Sequence, residues 1–379
     1  MSPARPKVSV VFPCLNERES VGACVAEARD AMRKERISCE VIVADNGSSD
    51  GSAAAAEAAG ARVVTEPRRG YGFAVGTGVD ASRGQVVLIA DVDGTYPLDE
   101  GPAFVRAALA EPDLVLGSRF AGRIMPGAMP TLHRLVGSPA TRLLLRMLLG
   151  IRSSDPHSGM RAMRREVFDA IRPVTGSWEF TFEMLVNAAR RSVRVREIPI
   201  TYRKRIGTSK LRALPEGWGF FRFMILHSPA FLFIVPGLLA MALGAAFLGW
   251  LLQVDRSIGS ANFGINSLVV GALATIVGYQ LVALGTCARA YMDTRNPAQI
   301  PRRRPWFTLE RGLVAGLLLL VAGVSVVASV GARWLASDFP QLARSDHGLA
   351  IVGLTAAVVG MQTIFSSFFL SLFVRDGQS

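Results

Sequence analysis

The chain has 379 residues, half of them apolar, and a formal net charge of +12. That length admits two domains or more, and a basic excess of this size calls for an anionic partner. Nucleic acid is argued against, because the basic residues gather beside apolar segments and in two loops without an aromatic–basic stacking motif; lipid headgroups and phosphorylated substrates fit the pattern better.

Residues 1–227 alternate strand-like and helix-like patterns. Residues 7–13 read as a first strand, and Asn16-Glu17-Arg18-Glu19 opens a helix to about residue 36, its acidic side chains facing the positive end of the dipole. A second strand, 40–44, runs into Asp45-Asn46-Gly47-Ser48-Ser49-Asp50-Gly51, a turn and N-cap leading to an alanine-rich helix over 52–59. Residues 62–65 make a third strand, followed by Arg68-Arg69-Gly70-Tyr71-Gly72-Phe73 and a helix over 73–82. The G-x-G-x-x-x-G spacing there follows the third strand instead of the first, and no Walker A sequence occurs, which argues against a dinucleotide cofactor. Residues 85–90 (QVVLIA) are a continuous apolar run, the mark of a buried parallel strand, and 113–116 make a fifth. Strands alternating with helices predict a mostly parallel, doubly wound α/β sheet.

The fourth strand ends in Asp91-Val92-Asp93-Gly94-Thr95-Tyr96, at the carboxyl edge where open α/β sheets bind ligands. Two carboxylates at i, i+2 before a glycine suit Mg²⁺ or Mn²⁺ that already carries phosphate oxygens. The same residues would equally make an ordinary polar turn after a strand. The four cysteines, Cys14, Cys24, Cys39 and Cys287, form no C-x-x-C pair, and so predict reduced thiols without zinc or disulfides.

After residue 228 come four apolar segments, roughly 229–252, 264–292, 312–335 and 348–374, each long enough to cross a bilayer. Residues 8–12 are too short for a signal-peptide core and lead into Pro13, so the soluble part is expected to stay where it is made. Arg295, Arg302, Arg303 and Arg304, bordered by Arg289 and Arg311, lie between the second and third spans, while the other two loops are nearly balanced. The positive-inside rule then puts this loop, the N-terminal domain and the C-terminus in the cytoplasm. Residues 138–149 and 215–227 carry apolar faces that suit a bilayer interface. The expected organisation is a soluble domain over 1–212, an interfacial helix over 213–228 and a four-helix membrane domain over 229–379.

Seven stretches in register make the chain resemble the family-two glycosyltransferases of GT-A fold, above all the polyprenyl-phosphate (dolichyl-phosphate mannose or glucose) synthases. They are Val-Phe-Pro-Cys-Leu-Asn-Glu at 11–17, Val-Ala-Asp-Asn-Gly-Ser-Ser-Asp at 43–50, Gly-Tyr-Gly-Phe-Ala at 70–74 and Asp91-Val-Asp93-Gly. Gly117-Ser-Arg119-Phe, Asp155-Pro-His-Ser-Gly159-Met-Arg161 and Arg205-Ile-Gly-Thr-Ser-Lys210 complete the set. The resemblance implies that Pro13, Leu15, Glu17 and Asp45 line a base and ribose pocket, with Asn46 where the family usually has a second Asp. It implies that Asp91 and Asp93 hold the metal on the nucleotide diphosphate, Asp93 most directly, with Thr95 in place of a polar residue that some relatives use at the metal. Arg119 and Arg134 are implied to act in catalysis and, with Arg123 and Ser138, to hold an acceptor phosphate. Arg203, Arg205 and Lys210 would close over the diphosphate.

The chemistry agrees with these residue types. A departing nucleoside diphosphate needs a Lewis acid, and a phosphate monoester acceptor, already ionised, needs cations instead of a general base. Arg119, Arg123, His133 and Arg134 follow the fifth strand, and the planar fork of arginine suits phosphate oxygens, although any one surface arginine alone reads as a solvated charge. The expectation is inverting, metal-dependent transfer of one sugar to a polyprenyl phosphate on the cytoplasmic leaflet. Ala128-Met129-Pro130 and Met160-Arg161 resemble members labelled glucose synthases, a resemblance that favours UDP-glucose over GDP-mannose, and anchoring, homo-oligomerisation or acceptor presentation is expected of the spans. A processive polysaccharide synthase would carry Gln-x-x-Arg-Trp before its channel spans; Gly331-Ala332-Arg333-Trp334 lacks the Gln and lies in a span. An inactive lipid-binding or flippase-associated scaffold would have lost the carboxylates, and both are present. Glu179 and Glu183, one helical turn apart, could form a hydrolytic pair, but such a pair would need neither the metal motif nor the arginines.

Overall fold

A computed structural model describes residues 5–207, 213–253, 257–258, 261–262, 264–294, 308–336 and 344–375. The chain divides into two compact units, Met1–Met224 and Ile225–Ser379.

The first unit is built on a seven-stranded sheet with strand order β3-β2-β1-β4-β6-β5-β7. In chain order its strands are β1 (Val8–Cys14), β2 (Cys39–Asp45), β3 (Arg62–Thr65), β4 (Val86–Ile89), β5 (Leu114–Ile124), β6 (Arg161–Arg164) and β7 (Val195–Tyr202). Only β6 is antiparallel to its neighbours, β4 and β5; the other pairings are parallel. This is the mostly parallel α/β sheet that the sequence predicts. The two strands without a sequence-level counterpart, β6 and β7, read poorly for physical reasons. β6 is four residues long with a charged residue at each end. β7 contains Pro199, which strands tolerate at a sheet edge, where β7 lies.

Packing follows the sequence periods. β1, at the centre, buries Val8, Val10, Val11 and Phe12 completely, because helices cover both faces of the sheet. Helix α1 (Arg18–Lys34) buries Val21, Cys24, Val25, Ala28 and Met32, the i, i+3, i+4, i+7 stripe of an amphipathic helix, and closes with Arg33 and Lys34 at the negative end of its dipole. Helices α2 (Ser52–Ala58), α3 (Tyr71–Asp80) and α4 (Gly101–Ala110) connect successive strands. Then come α5 (Ser138–Leu149), α6 (Arg165–Ile171), α7 (Phe180–Arg190) and α8 (Ala213–Leu226). The chain order reverses at β1/β4, and the carboxyl ends of β1, β2 and β4 lie side by side, with Cys14 opposite Asp45 and Val11 opposite Ile89. Because β6 is antiparallel, the segment entering it arrives at this same edge, with Arg161 opposite Ile89.

The second unit contains α9 (Val235–Gln253), α10 (Ile265–Thr294), α11 (Leu309–Ala336) and α12 (Arg344–Arg375). Four apolar stretches here, Phe231–Gln253, Ile265–Met292, Leu309–Ala336 and Ser345–Phe373, are long and apolar enough to span a membrane, as the sequence predicts. Lipid tails give no hydrophobic incentive for helices to associate, so small residues let the backbones meet. A Cβ on Gly244 of α9 would lie 2.6 Å from the Thr275 nitrogen of α10, and one on Gly323 of α11 would lie 2.5 Å from the Ala357 nitrogen of α12. Tyr279 donates to Thr363 at 2.7 Å, tying α10 to α12. Gly323→Leu is expected to cost about 1–3 kcal/mol by overpacking this seam. Gly331→Leu, on the same helix with nothing within 4 Å of the added carbon, should be neutral. Thermal unfolding midpoints of the two variants in detergent make the comparison.

Candidate active site

The loops after β1 and β2 interlock. Asn16 takes a positive φ of 51°, donates its N–H to Ser48 Oγ at 2.9 Å and accepts the Ser49 N–H at 2.8 Å. Glu17 N–H donates to Ser52 Oγ at 2.8 Å, and the Asp45 carboxylate accepts the N–H groups of Gly47 and Ser48. Pro13 and Leu15 lie half-buried at the rim of this crevice. Asn46, where the resemblance leads one to expect an Asp, has a specific job. Its Nδ2 donates to the carbonyls of Glu66 (3.0 Å) and Arg68 (2.7 Å), and its Oδ1 accepts the Gly70 N–H at 2.8 Å. An aspartate could not donate those two bonds, so Asn46 is spent on tethering the turn before α3.

Asp91 and Asp93 occupy the centre of the edge. Asp93 Oδ1 accepts both the N–H (3.0 Å) and the hydroxyl (2.6 Å) of Thr95, which fixes the carboxylate rotamer. Its Oδ2 accepts from Arg205 Nη1 at 3.0 Å. Arg205 also pairs with Glu17, so one guanidinium joins the carboxylates of two different loops. Asp91 is recessed, with Tyr71 donating to it, and burial and the charge of Asp93 push its carboxyl up to about 7. Tyr71 itself stacks on Trp178 at 4.2 Å. Gly159 passes so close that a Cβ there would lie 2.4 Å from Asp91 Oδ2, so only glycine fits. Arg203 turns away to Glu27 (3.0 Å) and Asp99 (3.5 Å), and Lys210 lies outside the described residues.

Farther along the edge, Arg119 is buried and bidentate on Asp155: Nε to Oδ2 at 2.6 Å and Nη2 to Oδ1 at 2.7 Å. Its backbone N–H donates to the same carboxylate at 2.9 Å, and its guanidinium lies 4.9 Å over the Tyr202 ring. Asp155 is fully buried, and this charge-assisted fork uses two of the three nitrogens of Arg119, whose side chain also hydrogen-bonds Tyr202. Ser138 is buried, with its hydroxyl 3.2 Å from His133 Nε2. His157 packs edge-on against His133, Phe182 and Phe220. Burial and the nearby Arg119 push both imidazoles down, that of His157 to about 3, so His157 is neutral at physiological pH. Arg123 and Arg134 are exposed. The edge therefore brings Glu17, Asp45, Asp91, Asp93, Arg119 and Arg205 together, with Ser138 and His133 beside Arg119, while Arg123 and Arg134 stand at the surface.

Three participants were not legible as such in the sequence. Asp155 is the counter-ion of Arg119. Arg161, 1% exposed, has no carboxylate partner among the described contacts and donates instead to the carbonyls of Pro156 (2.8 Å), Ser158 (2.9 Å) and Thr181 (2.6 Å), bracing the Asp155–Gly159 loop against α7. Tyr71 is the third. Glu183 Oε2 accepts the N–H groups of Val174 and Thr175 at 2.9 and 2.7 Å, which makes it a loop clamp and removes it as a catalytic acid.

Paired carboxylates beside arginines thus lie at the carboxyl edge next to a topological switch point, the place where open α/β sheets bind ligands. Residues 9–172 match glycosyl transferase family 2, and residues 286–374 match the glycosyltransferase family 2 C-terminal transmembrane region. The chain is 34% identical over 374 residues to the low-salt glycan biosynthesis hexosyltransferase Agl6 of Haloferax volcanii, covering 96% of this chain and 88% of that one. It is 36% identical over 212 residues to a dolichyl-phosphate hexose transferase of the same organism, covering 55% of this chain and 89% of the relative. It is 28% identical over 305 residues to the undecaprenyl-phosphate 4-deoxy-4-formamido-L-arabinose transferase of Sodalis glossinidius, covering 76% and 90%. The chain belongs to glycosyltransferase family 2, and it is a glycosyltransferase with a multi-pass membrane region.

Proposed function

We propose that the protein transfers a single sugar, with inversion, from a nucleotide sugar to a polyprenyl phosphate at the cytoplasmic membrane face, with UDP-glucose the first donor to test and GDP-mannose the second. The observation that carries the reading is the arrangement of one sheet edge: carboxylates at β1, β2 and β4, then a buried arginine with a serine and two neutral imidazoles toward β5 and β6. The relatives named for dolichyl and undecaprenyl phosphates support the acceptor class. The exposed apolar side chains of Leu135, Val136, Leu143 and Met147 around α5 support contact with a lipid surface. The cytoplasmic assignment rests on the charges of Arg295, Arg302, Arg303 and Arg304, which lie outside the described residues.

The donor set fits a divalent cation. Asp91 and Asp93 are two carboxylates at one sheet edge, the number with which Mg²⁺ or Mn²⁺ is commonly held when phosphate oxygens supply the other ligands. Burial first and then the charge of Asp93 raise Asp91, and such a cation would relieve the second of these. When bound, it would stabilise the departing diphosphate as a Lewis acid, with Asp91 and Asp93 as its protein ligands. Glu17 and Asp45 would face base and ribose, alongside Pro13 and Leu15. Arg119 and Ser138, with Arg123 and Arg134 at the mouth, would hold the acceptor phosphate. That nucleophile is ionised already, in keeping with the commitment of Asp155 to Arg119 and of Glu183 to backbone N–H groups.

The test is product formation by purified protein with Mn²⁺ or Mg²⁺ and a short polyprenyl phosphate, offering UDP-glucose, GDP-mannose and UDP-N-acetylglucosamine separately. A lipid-phosphate monosaccharide with one donor establishes the reading, and long glycan without that product overturns it. A pH dependence follows from Asp91. Its carboxyl titrates near 7 in the metal-free chain, so protons compete with the cation below that value. Mn²⁺ affinity is expected to fall about tenfold per pH unit below neutrality, measured by electron paramagnetic resonance of free Mn²⁺ between pH 5.5 and 8.

A further inference from the structure

The segment after β7 crosses the metal motif as a strap. Arg203 N–H donates to the Thr95 carbonyl at 2.8 Å, and Ile206 N–H donates to the Asp93 carbonyl at 2.9 Å. Ile206 covers Gly94, where an added Cβ would lie 2.9 Å from its Cδ1. Between these anchors, Arg205 reaches inward to Asp93 and Glu17, whose side chains are only 9% and 11% exposed. The fork is incompletely satisfied. Arg205 Nε is buried without a hydrogen-bond partner among the described residues.

We infer that Arg205 is a resident counter-ion of the site: in the ligand-free chain its guanidinium neutralises Asp93 and Glu17 together, and loading with a divalent cation and a nucleoside diphosphate requires it to release Asp93. The inference rests on the reading of Asp93 as a metal ligand. In the ligand-free chain Arg205 reaches the recessed carboxylate of Asp93, and that of Glu17 from a different loop, from a strap held by backbone bonds on either side. A divalent cation at Asp93 removes the reason for the guanidinium to stay there. A diphosphate offers the same fork several oxygens, including a partner for the orphaned Nε. Arg205 thus has two stations, carboxylates in the empty site and phosphate in the loaded one. It opposes metal binding by itself and favours metal and nucleotide binding together.

The two stations predict effects of opposite sign in one variant. In full-length protein at pH 8, Arg205→Gln is expected to bind Mn²⁺ alone roughly tenfold more tightly than wild type, the size of a lost charge-assisted bond. With saturating Mn²⁺, the same variant is expected to bind the tighter of UDP and GDP roughly tenfold more weakly. Electron paramagnetic resonance of Mn²⁺ and calorimetry with the nucleotides read both. Arg205→Lys, which can reach one carboxylate but not span two, should tighten Mn²⁺ by a smaller factor, and it carries the test if the Gln variant does not fold. An Mn²⁺ affinity unchanged or weakened in Arg205→Gln overturns the resident counter-ion, and an unchanged nucleotide affinity overturns the second station. Asp93→Asn in the same assay separates the failures. If that variant binds Mn²⁺ like wild type, the metal reading of the site falls; if it loses Mn²⁺ while Arg205→Gln does not tighten it, only the role of Arg205 falls.

Discussion

Asp93→Asn is expected to lower the rate of sugar transfer by about a thousandfold or more, with little change in folding. The substitution is nearly isosteric, and an amide oxygen can still accept the Thr95 N–H and hydroxyl that hold this side chain in place. What disappears is the charge at the oxygen now facing Arg205. Removing one preorganised electrostatic contact in an active site typically costs a factor of 10²–10³, and losing a metal that stabilises the leaving group costs more. The measurement is kcat for lipid-linked product at saturating donor, beside a thermal unfolding midpoint. A variant within tenfold of wild type would show that Asp93 carries no metal in the reaction.

Asp155→Asn should have the largest effect on stability of any single change at the site. Asp155 is fully buried and takes three bonds from Arg119, two from the guanidinium and one from the backbone. Deleting one member of a buried pair strands the other charge, at a cost of about 3–5 kcal/mol. The guanidinium of arginine keeps its proton at any physiological pH, so Arg119 cannot escape by neutralising. Replacing both partners, as in Asp155→Asn with Arg119→Met, should recover part of the loss, because two buried polar groups then vanish together. Unfolding of the two single variants and the double variant by urea gives the coupling. Single variants that lose less than about 1 kcal/mol would mean water reaches this pair.

The sequence disclosed the metal-motif strand and its two carboxylates because both signals are local: a continuous apolar run followed by polar residues at i and i+2. It disclosed the four spans for the same reason. It did not disclose Asp155, because what distinguishes that carboxylate is a partner 36 residues away in sequence. Arg161 was hidden by its own type. An arginine reads as surface, and only the fold shows it buried among carbonyls. Arg119 was legible as a cation but not as the buried partner of Asp155, and Arg205 was legible as a cation but not as the partner of Asp93 and Glu17. Residue type predicts what a side chain can bind, whereas three-dimensional neighbours decide what it binds first.

The placement of β6 also dictates an order of assembly during synthesis. β4 pairs with β1 on one side, but its other edge belongs to β6, and β5, made earlier, belongs on the far side of β6. A nascent chain that has reached the end of β5 therefore holds a strongly apolar strand with one open edge, and the nearest strand available to close it is the wrong one. Correct closure waits for Arg161–Arg164, whose terminal arginines are anchored by carbonyls and cannot be mimicked by the apolar start of β5. Both β6 and β7 leave the ribosome before the first apolar span at Phe231. The soluble sheet can thus be complete before the membrane claims the rest of the chain, and a stall between β5 and β6 is the interval in which this protein is most exposed to aggregation.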